Sequence, residues 1–361
     1  MKAARSTLAA AVFGGMASLA GTAAAQPLYD FVLIDSFNAD PRRGEAYAWG
    51  VNDRGDVCGM ATMDNVIGYP GFVWDEATGK TRLPISWPAA VNNEGLVVGN
   101  GQVFDLRTGE ATTPPNLPGT YYGPLFNDVN EAGVAVGSIS TCSCSDSGGV
   151  FRIPYVWDAA GGARTVDVPG SRGLVRVNNS GIALGAGFTV DLSTGAYTML
   201  TEAFPSNVGV GGVQATDLND AGVLVGWRAG VYPTYRYGFI WSPATGVEIL
   251  PFPGAGFQRS VTPSRVNNAG VVVGTITTEL AEPHLFVYSS AEGLHDLSVG
   301  DLVSGKPAGY RFSTPTDISN TGWIVGYGHT AAGKVTGFLL KPRTPPCPAD
   351  FNGDGFLDFF D

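Results

Sequence analysis

The last twelve residues of this 361-residue chain carry the pattern of an EF-hand-type calcium loop. With position 1 at residue 350, side-chain oxygens fall at positions 1, 3, 5, 9 and 12, and glycine at position 6 permits the sharp turn. An unconstrained acidic tail would rarely place glycine and all five oxygen donors correctly. The spacing therefore predicts calcium as a cofactor, with these ligands: Asp350, Asn352, Asp354, the carbonyl of Phe356, Asp358 and Asp361.

The segment from Cys347 to Gly355 resembles the calcium loop of planctomycete-type dockerin modules, in which Asp is usual at position 12. The resemblance implies a cohesin-like docking partner and an association with polysaccharide-degrading enzymes. A dockerin has two such loops, each followed by a helix, and this sequence stops at the twelfth residue of the first loop. We therefore expect weak calcium binding and weak docking, either because the sequence is a fragment or because the module has decayed.

Residues suited to other catalytic chemistry are few. Three histidines and four cysteines leave little material for transition-metal sites or histidine-based catalysis. Asp128, Asp217 and Asp317 each precede a repeated Asn or Ser by two residues. They would form a glycosidase pair if two of them met across a ring centre, and otherwise are hydrated turn and channel residues. We expect binding rather than catalysis from this set.

Composition restricts both the fold and the partners. Apolar residues make up 44% of the chain and charged residues only 15%, while 51 glycines and 24 prolines indicate many tight turns and short strands. The net charge of -11 and the pI near 4.7 disfavour a nucleic-acid partner, since phosphate binding needs a basic surface.

Residues 1–25 have the features of a secretory signal peptide. Lys2 and Arg5 precede an apolar run, and small residues up to Ala25 provide the cleavage site. Glycines and polar residues interrupt the run, so a membrane anchor is disfavoured and no other stretch predicts a membrane span. We therefore expect a secreted bacterial protein, extracellular or at the cell surface. Disulfides are allowed there, but the pairing of Cys58 and Cys347 stays undecided from the sequence.

One short phrase occurs seven times, at intervals of 38 to 52 residues. It consists of Asn or Ser, two polar or small residues, Gly, three mostly apolar residues and a second Gly, as in the segment from Asn52 to Gly59. Asn at the first position and Gly at the fourth are typical of a type I turn, so each phrase predicts the tip of a β-hairpin. An aromatic-rich strand, a Thr-Gly turn and a fourth strand follow. Each repeat is therefore predicted to be a four-stranded antiparallel meander.

Seven such units predict an all-β fold, a seven-bladed β-propeller of four-stranded antiparallel blades. The last repeat lacks a fourth strand, whereas residues 29–35 form a spare strand before the first repeat, so we expect the N-terminal strand to close the ring. The predicted organisation is a signal peptide over 1–25, the propeller over 26–340, a Pro-rich linker over 341–349 and the partial calcium loop over 350–361.

The repeats resemble the HAF-type extracellular repeat proteins, whose phrases take the form I-N-x-x-G-x-V-V-G followed by H-A-F-x-W. The segment from Pro283 to Phe286 is the nearest match to the histidine-bearing phrase. The resemblance covers about residues 28–340. It implies the repeat architecture and no settled activity.

Loops between second and third strands, and those between blades, share one face of the predicted ring and vary in length. Variable loops on a rigid scaffold usually carry binding, and aromatic rings suit sugars or peptides. We expect an extracellular polysaccharide or protein ligand here; the alternatives are rings packed between blades, a polysaccharide-degrading hydrolase or lyase, and a decayed copy without ligand. The candidate residues are Trp87, Tyr121, Tyr122, Trp227, Tyr232, Tyr235, Tyr237 and Tyr310.

Overall fold

The computed structural model describes residues 27–40, 42–142, 150–200, 212–229, 235–252, 260–277 and 283–343. The signal-peptide prediction at 1–25 and the calcium-loop prediction at 350–361 lie outside these residues, as does most of the predicted linker.

Within the described residues the chain forms 29 β-strands. In chain order they are β1 Tyr29–Ile34, β2 Ala46–Val51, β3 Val57–Ala61, β4 Pro70–Asp75, β5 Gly79–Ser86, β6 Ala90–Val91, β7 Leu96–Val98, β8 Val103–Asp105, β9 Glu110–Thr112, β10 Thr120–Val129, β11 Ala135–Cys142, β12 Val150–Asp158, β13 Gly162–Thr165, β14 Leu174–Val177, β15 Ile182–Gly185, β16 Phe188–Asp191, β17 Tyr197–Met199, β18 Val213–Leu218, β19 Leu224–Ala229, β20 Arg236–Ser242, β21 Gly246–Ile249, β22 Ser260–Val266, β23 Val272–Thr277, β24 Pro283–Ser289, β25 Gly293–Asp296, β26 Val303–Ser304, β27 Arg311–Ile318, β28 Ile324–His329 and β29 Val335–Pro342.

These strands form seven antiparallel blades, which confirms the predicted seven-bladed β-propeller. Blades 1 to 6 are four-stranded sheets paired in chain order, beginning at β2, β6, β10, β14, β18 and β22. The first strand of each blade lies innermost, and the fourth lies at the rim. Blade 7 has the order β26-β1-β29-β28-β27, with β27 innermost.

The N-terminal strand completes blade 7, as the sequence predicts. β1 pairs antiparallel with β29 along its whole length, from Tyr29 opposite Pro342 to Ile34 opposite Gly337. The two-residue strand β26 adds a short parallel partner outside β1, which the repeat pattern does not predict. β29 continues to Pro342, two residues past the predicted end of the propeller at 340. The first and last parts of the described chain are therefore held in one sheet.

The second glycine of each phrase makes room for the core of its blade. Gly59 lies opposite Phe72, and a Cβ at Gly59 would overlap both the Phe72 ring and the Tyr47 carbonyl of the inner strand. Gly226 and Gly274 likewise lie opposite the third-strand residues Phe239 and Phe286. Six blades share this glycine–aromatic pairing, and all six rings are fully buried: Phe72, Tyr155, Phe188, Phe239, Phe286 and Phe338.

The repeated asparagines close the turns and join neighbouring blades. The backbone N–H of Gly181 donates to the Asn178 carbonyl at 3.1 Å, and Gly181 has the positive φ of 77° that favours glycine. Within its own turn, Asn178 Oδ1 accepts the N–H of Ile182 at 2.8 Å. The Nδ2 group of Asn178 donates to the carbonyl of Asn219 in the next blade at 3.0 Å. One buried side chain thus satisfies groups in two blades.

The same amide-to-carbonyl bond links six successive pairs of blades at 2.9 to 3.1 Å. The donors are Asn52, Asn92, Asn130, Asn178, Asn219 and Asn267, and the last of them reaches the carbonyl of Ser319. Blade 7 carries Ser319 in place of Asn, and the neighbouring Thr321 hydroxyl donates to the Asp53 carbonyl of blade 1 at 3.1 Å.

A second ring of bonds follows one residue later and is complete through all seven blades. In each blade the backbone N–H donates to a side-chain oxygen of the next blade, at 2.6 to 3.0 Å. The members are Asp53, Asn93, Glu131, Asn179, Asp220, Asn268 and Asn320. We call the face that carries both rings the asparagine-turn face, and the opposite face the loop face.

We predict that Asn178→Ala lowers the free energy of unfolding by roughly 2–4 kcal/mol. It leaves the Ile182 N–H without a partner, and a buried unsatisfied group costs about 1–3 kcal/mol. It also removes the hydrogen bond to the Asn219 carbonyl, worth about 0.5–1.5 kcal/mol, although that carbonyl keeps the Gly222 N–H as a donor. Urea unfolding measures the change, with Asn116→Ala in an exposed linker as the matched control. Equal urea midpoints for the two variants would contradict a contribution of the repeated asparagines to the stability of the propeller.

Candidate functional site

The inner strands surround a central channel, and their side chains differ sharply from blade to blade. Six of them carry a register shift, a β-bulge, at the third residue before the repeated Asn or Ser. Bulges re-aim neighbouring side chains, and here residues on both sides of the shift line the channel. The position two residues before the Asn or Ser is occupied, in blade order, by Gly50, Ala90, Asp128, Arg176, Asp217, Arg265 and Asp317.

The three aspartates bind the next blade through its backbone. Asp217 Oδ2 in blade 5 accepts the N–H of Val266 in blade 6 at 2.8 Å. Thr216, one residue earlier, donates its hydroxyl to the Pro263 carbonyl of the same neighbouring strand at 3.0 Å. A hydroxyl donor and a carboxylate acceptor on neighbouring residues of blade 5 therefore bind the inner strand of blade 6 at two points.

An equivalent pair of hydrogen bonds joins blade 3 to blade 4, with an amide as the donor, and blade 7 to blade 1, with a hydroxyl as the donor. In blade 3, Asn127 donates to the Leu174 carbonyl at 2.7 Å, and Asp128 accepts the Val177 N–H at 2.9 Å. In blade 7, the Thr316 hydroxyl donates to the Ala48 carbonyl at 2.8 Å. Asp317 then accepts the N–H of Val51 at 2.9 Å. These contacts favour the structural alternative for the three aspartates over a glycosidase pair.

Two arginines lie between the aspartates around the channel. Arg176 Nε is 3.4 Å from Asp217 Oδ1, and Arg265 Nε is 3.7 Å from Asp317 Oδ1. Each arginine also donates its Nη1 group to the carbonyl of the preceding residue, at 2.6 and 2.7 Å. The channel thus holds three carboxylates and two guanidinium groups in alternation.

Burial controls the protonation of these carboxyl groups. Burial raises the pKa of Asp217 to about 8, and it raises the pKa of Asp128 and of Asp317 to about 6 each. The Arg176 guanidinium and the N–H groups of the next blade act in the opposite direction on all three pKa values without overcoming desolvation.

The loop face carries several of the predicted aromatic residues in exposed positions. Trp87 is 54% exposed at the mouth of the channel, and Tyr121 and Tyr122 are 64% and 65% exposed on blade 3. Tyr237 is 40% exposed, while Tyr232 lies outside the described residues. The structure therefore distributes these rings over several blades and does not bring them together into one platform.

A cleft of about 1180 Å³ lies on the loop face at blade 3. Tyr122 and Pro124 of β10, together with Phe151 and Arg152 of β12, form two of its walls. Phe151 is 61% exposed. The segment between blades 3 and 4 contributes Arg172. The cleft therefore combines two exposed aromatic rings with two cationic side chains, and the sequence analysis found only one of the four, Tyr122.

On blade 5, arginine side chains lie over the rings of two of the predicted residues. The Arg236 guanidinium lies 4.1 Å from the ring centre of Trp227, and that of Arg228 lies 5.1 Å from the ring of Tyr237. Tyr235 is half-buried beside them. Such cation–π pairs hold the rings at the surface with one side already covered.

The placement of Tyr310 on an exposed loop surface is wrong. Its ring is only 5% exposed and lies 4.9 Å from the ring of Phe31 and 5.7 Å from that of Phe312. The Tyr310 hydroxyl donates to the Thr336 carbonyl at 3.0 Å. Because β1 adds Phe31 to blade 7, Tyr310 meets an aromatic core instead of solvent.

Sequence reasoning also missed an aromatic cluster on blade 1. Tyr47 and Trp49 lie in its inner strand with their rings stacked at 6.1 Å, and Tyr327 of blade 7 meets Tyr47 edge-on at 5.1 Å. The hydroxyls of Tyr47 and Tyr69 both donate to Glu45 Oε2, at 3.0 and 2.7 Å. Alignment of the seven inner strands would have found this cluster, because Trp49 is the sole aromatic residue at its repeat position.

The part of the chain that the structure describes contains no group of three or more His, Cys, Asp or Glu side chains placed to hold a metal ion. No helix there has both the length and the hydropathy needed to span a bilayer. Cys58 is a buried free thiol whose pKa is raised by desolvation, and Cys347 lies outside the described residues.

The architecture and the channel define this chain as a seven-bladed β-propeller closed by its N-terminal strand. No family model and no curated protein matches it. Among solved structures it is similar to an oligogalacturonate lyase in complex with manganese, with 12% sequence identity and a TM-score of 0.57 over 88% of this chain and 97% of that chain.

Two further solved structures are similar. A prolyl endopeptidase shares 10% identity with a TM-score of 0.53, over 84% of this chain and 51% of that chain, so this chain spans about half of the endopeptidase. The β-propeller domain of the Trilobed protease from Pyrococcus furiosus shares 14% identity with a TM-score of 0.47, over 70% of this chain and 83% of that one. At such identities the likeness shows the fold alone. The resemblance to HAF-type repeat proteins stays a prediction.

We predict that Asp217→Asn becomes progressively more favourable for stability as the pH rises from 5 to 9. The folded pKa of Asp217 lies near 8, above the unfolded value of about 3.9, so this group's contribution to the free energy of unfolding falls as pH rises through that interval. Asn does not titrate and keeps an oxygen for the Val266 N–H. Urea unfolding at pH 5, 7 and 9 measures the difference between variant and wild type.

The exposed Asp301→Asn serves as the control for that titration, since it changes the same atoms at the surface. A stability difference between Asp217→Asn and wild type that stays constant with pH, or that changes in favour of the wild type as pH rises, would contradict the assignment of a desolvated carboxyl group.

Proposed function

We propose that this is a secreted, non-enzymatic binding protein that holds an extracellular polysaccharide on the loop face of its propeller. The observation that carries the proposal is the cleft on blade 3, where the exposed rings of Tyr122 and Phe151 meet Arg152 and Arg172. Exposed aromatic residues gathered at one cleft on a rigid scaffold are typical of a binding surface.

The chemistry of the cleft suits a sugar chain. Rings of Tyr122 and Phe151 can cover the apolar faces of pyranose units at low cost in conformational entropy, because an aromatic side chain has few rotatable bonds. Arg152 and Arg172 supply hydrogen-bond donors for hydroxyl or carboxylate oxygens. The lining also offers the backbone around Asn100 and Gly101, which belongs to the neighbouring blade 2.

The dimensions of the cleft favour a polymer over a small molecule. Its volume of about 1180 Å³ exceeds the range of roughly 300–1,000 Å³ that is usual for small-ligand pockets. It extends from the segment around residue 100 in blade 2, across β10 and β12, to the segment around residue 171 before blade 4. A chain of several sugar units could contact blades 2 and 3 and the segment that leads into blade 4.

The proposal predicts that Tyr122→Ala and Phe151→Ala each weaken retention on the bound polysaccharide by about tenfold or more. Central aromatic contacts cost about 2 kcal/mol or more on truncation, and 1.4 kcal/mol corresponds to tenfold in affinity. Retention of the purified chain on an array of neutral and acidic extracellular polysaccharides is the measurement. Tyr197→Ala is the matched control, since Tyr197 is 44% exposed but lies on the rim strand of blade 4.

Unchanged retention in both cleft variants would contradict the blade 3 site. Release of shortened products during the assay, with loss of that release in Asp217→Asn, would replace the binding function by a hydrolase or lyase. Retention on a protein ligand alone would exclude the polysaccharide.

The C-terminal loop is the second part of this proposal. Its donor set at residues 350–361 supports weak calcium binding, in the 10⁻⁴–10⁻³ M range of extracellular modules, and a docking role toward a cohesin-like partner. We predict that Asp354→Ala abolishes the calcium heat signal of the full chain in titration calorimetry. Asp301→Ala, at an exposed position on the propeller, is expected to leave it unchanged. Equal signals in the two variants would remove calcium from the C-terminal loop.

A further inference from the structure

The loop-face mouth of the central channel forms a cavity separate from the blade 3 cleft. Its volume is about 320 Å³, at the small end of the range for small-molecule sites. Trp49 and Trp87 contribute two indole rings to its lining, Arg176 and Arg265 two guanidinium groups, and Asn127 an amide. A cavity that combines large rings with convergent charged and polar groups is the usual composition of a ligand site.

Charge is distributed unevenly along the channel. Arg176 and Arg265 line both the loop-face cavity and the 150 Å³ cavity toward the asparagine-turn face, whereas the carboxylates of Asp128, Asp217 and Asp317 line only the second. The acidic residues of the second ring, such as Asp53, also line that far cavity. A ligand that enters from the loop face therefore meets positive charge first, although the chain as a whole carries -11.

The arginines have donors left over for a ligand. Their Nε atoms face the aspartates, and their Nη1 groups are bonded to backbone carbonyls. Among the described residues, no hydrogen bond engages the Nη2 group of Arg176 or of Arg265. The aspartates and the carbonyls fix both guanidinium groups in place, and fixed guanidinium groups recognise carboxylates well because little rotamer entropy is lost on binding.

The aromatic side of the cavity is held rigidly from behind. Trp49 stacks on Tyr47 at 6.1 Å and meets Tyr327 edge-on at 5.9 Å, while Trp87 lies 6.2 Å from Tyr69. Glu45 fixes Tyr47 and Tyr69 by accepting both of their hydroxyls. These contacts set the positions of the two indole rings before any ligand binds.

Trp87 has a strained backbone that supports a role in recognition. Its φ of 56° lies in the left-handed region, which a bulky residue rarely adopts. Gly99 of the next strand permits this conformation, since a Cβ there would overlap the Trp87 carbonyl. Strain of this kind costs about 1–3 kcal/mol and concentrates at functional sites, and here it holds a half-exposed indole at the channel mouth.

We propose that the channel mouth binds one carboxylate-bearing sugar residue, a uronic acid or the acidic end unit of a chain. The carboxylate accepts hydrogen bonds from Nη2 of Arg176 and Arg265, and the sugar ring packs on the indole of Trp87. This goes beyond the proposed function, because it is a second site for a single acidic unit, separate from the polymer cleft on blade 3.

Titration calorimetry of the full chain with glucuronate, glucose and inorganic phosphate tests the proposal. We expect glucuronate to bind, and both glucose and phosphate to bind at least tenfold more weakly, because glucose lacks the carboxylate and phosphate lacks the ring. Arg265→Gln and Trp87→Ala should each weaken glucuronate binding at least tenfold. Arg82→Gln, an exposed arginine on β5, should leave it unchanged.

Arg265 also pairs with Asp317, so circular dichroism and a urea midpoint establish that its variant folds. Trp87 lies at the channel mouth with 54% of its surface exposed, and its variant keeps the test decisive if Arg265→Gln fails to fold. Equal binding of glucose and glucuronate, or no loss in Trp87→Ala, would overturn the site. Phosphate binding as tight as glucuronate would reduce it to a general anion site. Loss of polysaccharide retention in the Tyr122 variant with glucuronate binding intact would separate the two sites.

Discussion

Every blade of this propeller depends on a hydrogen bond between its turn and the turn of the next blade. The buried Asn amide uses its oxygen for its own hairpin and its nitrogen for the neighbour's carbonyl, so the geometry of one turn fixes the position of the next. One residue later, backbone N–H groups and side-chain oxygens form a ring that is complete through seven blades. A propeller blade has few contacts except with its two neighbours, so such bonds decide whether the ring stays closed.

Paired hydrogen bonds between inner strands, inside the channel, also fix neighbouring blades relative to each other. In blades 3, 5 and 7 a side-chain donor and an aspartate form hydrogen bonds with the inner strand of the following blade, as Thr216 and Asp217 do with β22. Burial makes the aspartates hard to ionise, and the Arg176 guanidinium partly offsets this effect. Arg176 and Arg265 also line the loop-face mouth of the channel. One set of interactions thus closes the ring and leaves positive charge at the opposite mouth. The two faces therefore differ: short, hydrogen-bonded turns on one face hold the blades together, and loops of variable length on the other present exposed side chains.

Much of the architecture could be predicted from the sequence, because turn chemistry is local. Asn and Gly three residues apart between two apolar segments favour a hairpin turn, and the spare strand at 29–34 has a single vacant place in the last blade. The role of Asp217 could not be predicted, since its partner, the Val266 N–H, lies 49 residues away in another blade. Tyr310 was misplaced for the same reason, because the rings that bury it include Phe31 from the other end of the described chain. The cleft on blade 3 depends on the relative placement of three loops, which no repeat pattern encodes. Trp49, in contrast, could have been found from the sequence, because it is the one aromatic residue among the seven equivalent positions.

Bonds between blades lock the asparagine-turn face and leave the loop face free to present its side chains. Native-state hydrogen exchange of the backbone amides tests it most directly, since amides in fully bonded elements exchange only when the whole domain opens. We predict that the second-ring amides, among them those of Asn179 and Asp220, exchange at the rate of global unfolding, whereas the amides of Tyr121 and Gly170 on the loop face exchange by local opening. Exchange of the turn amides as fast as those loop amides would contradict it, because the ring bonds would then open without unfolding the propeller.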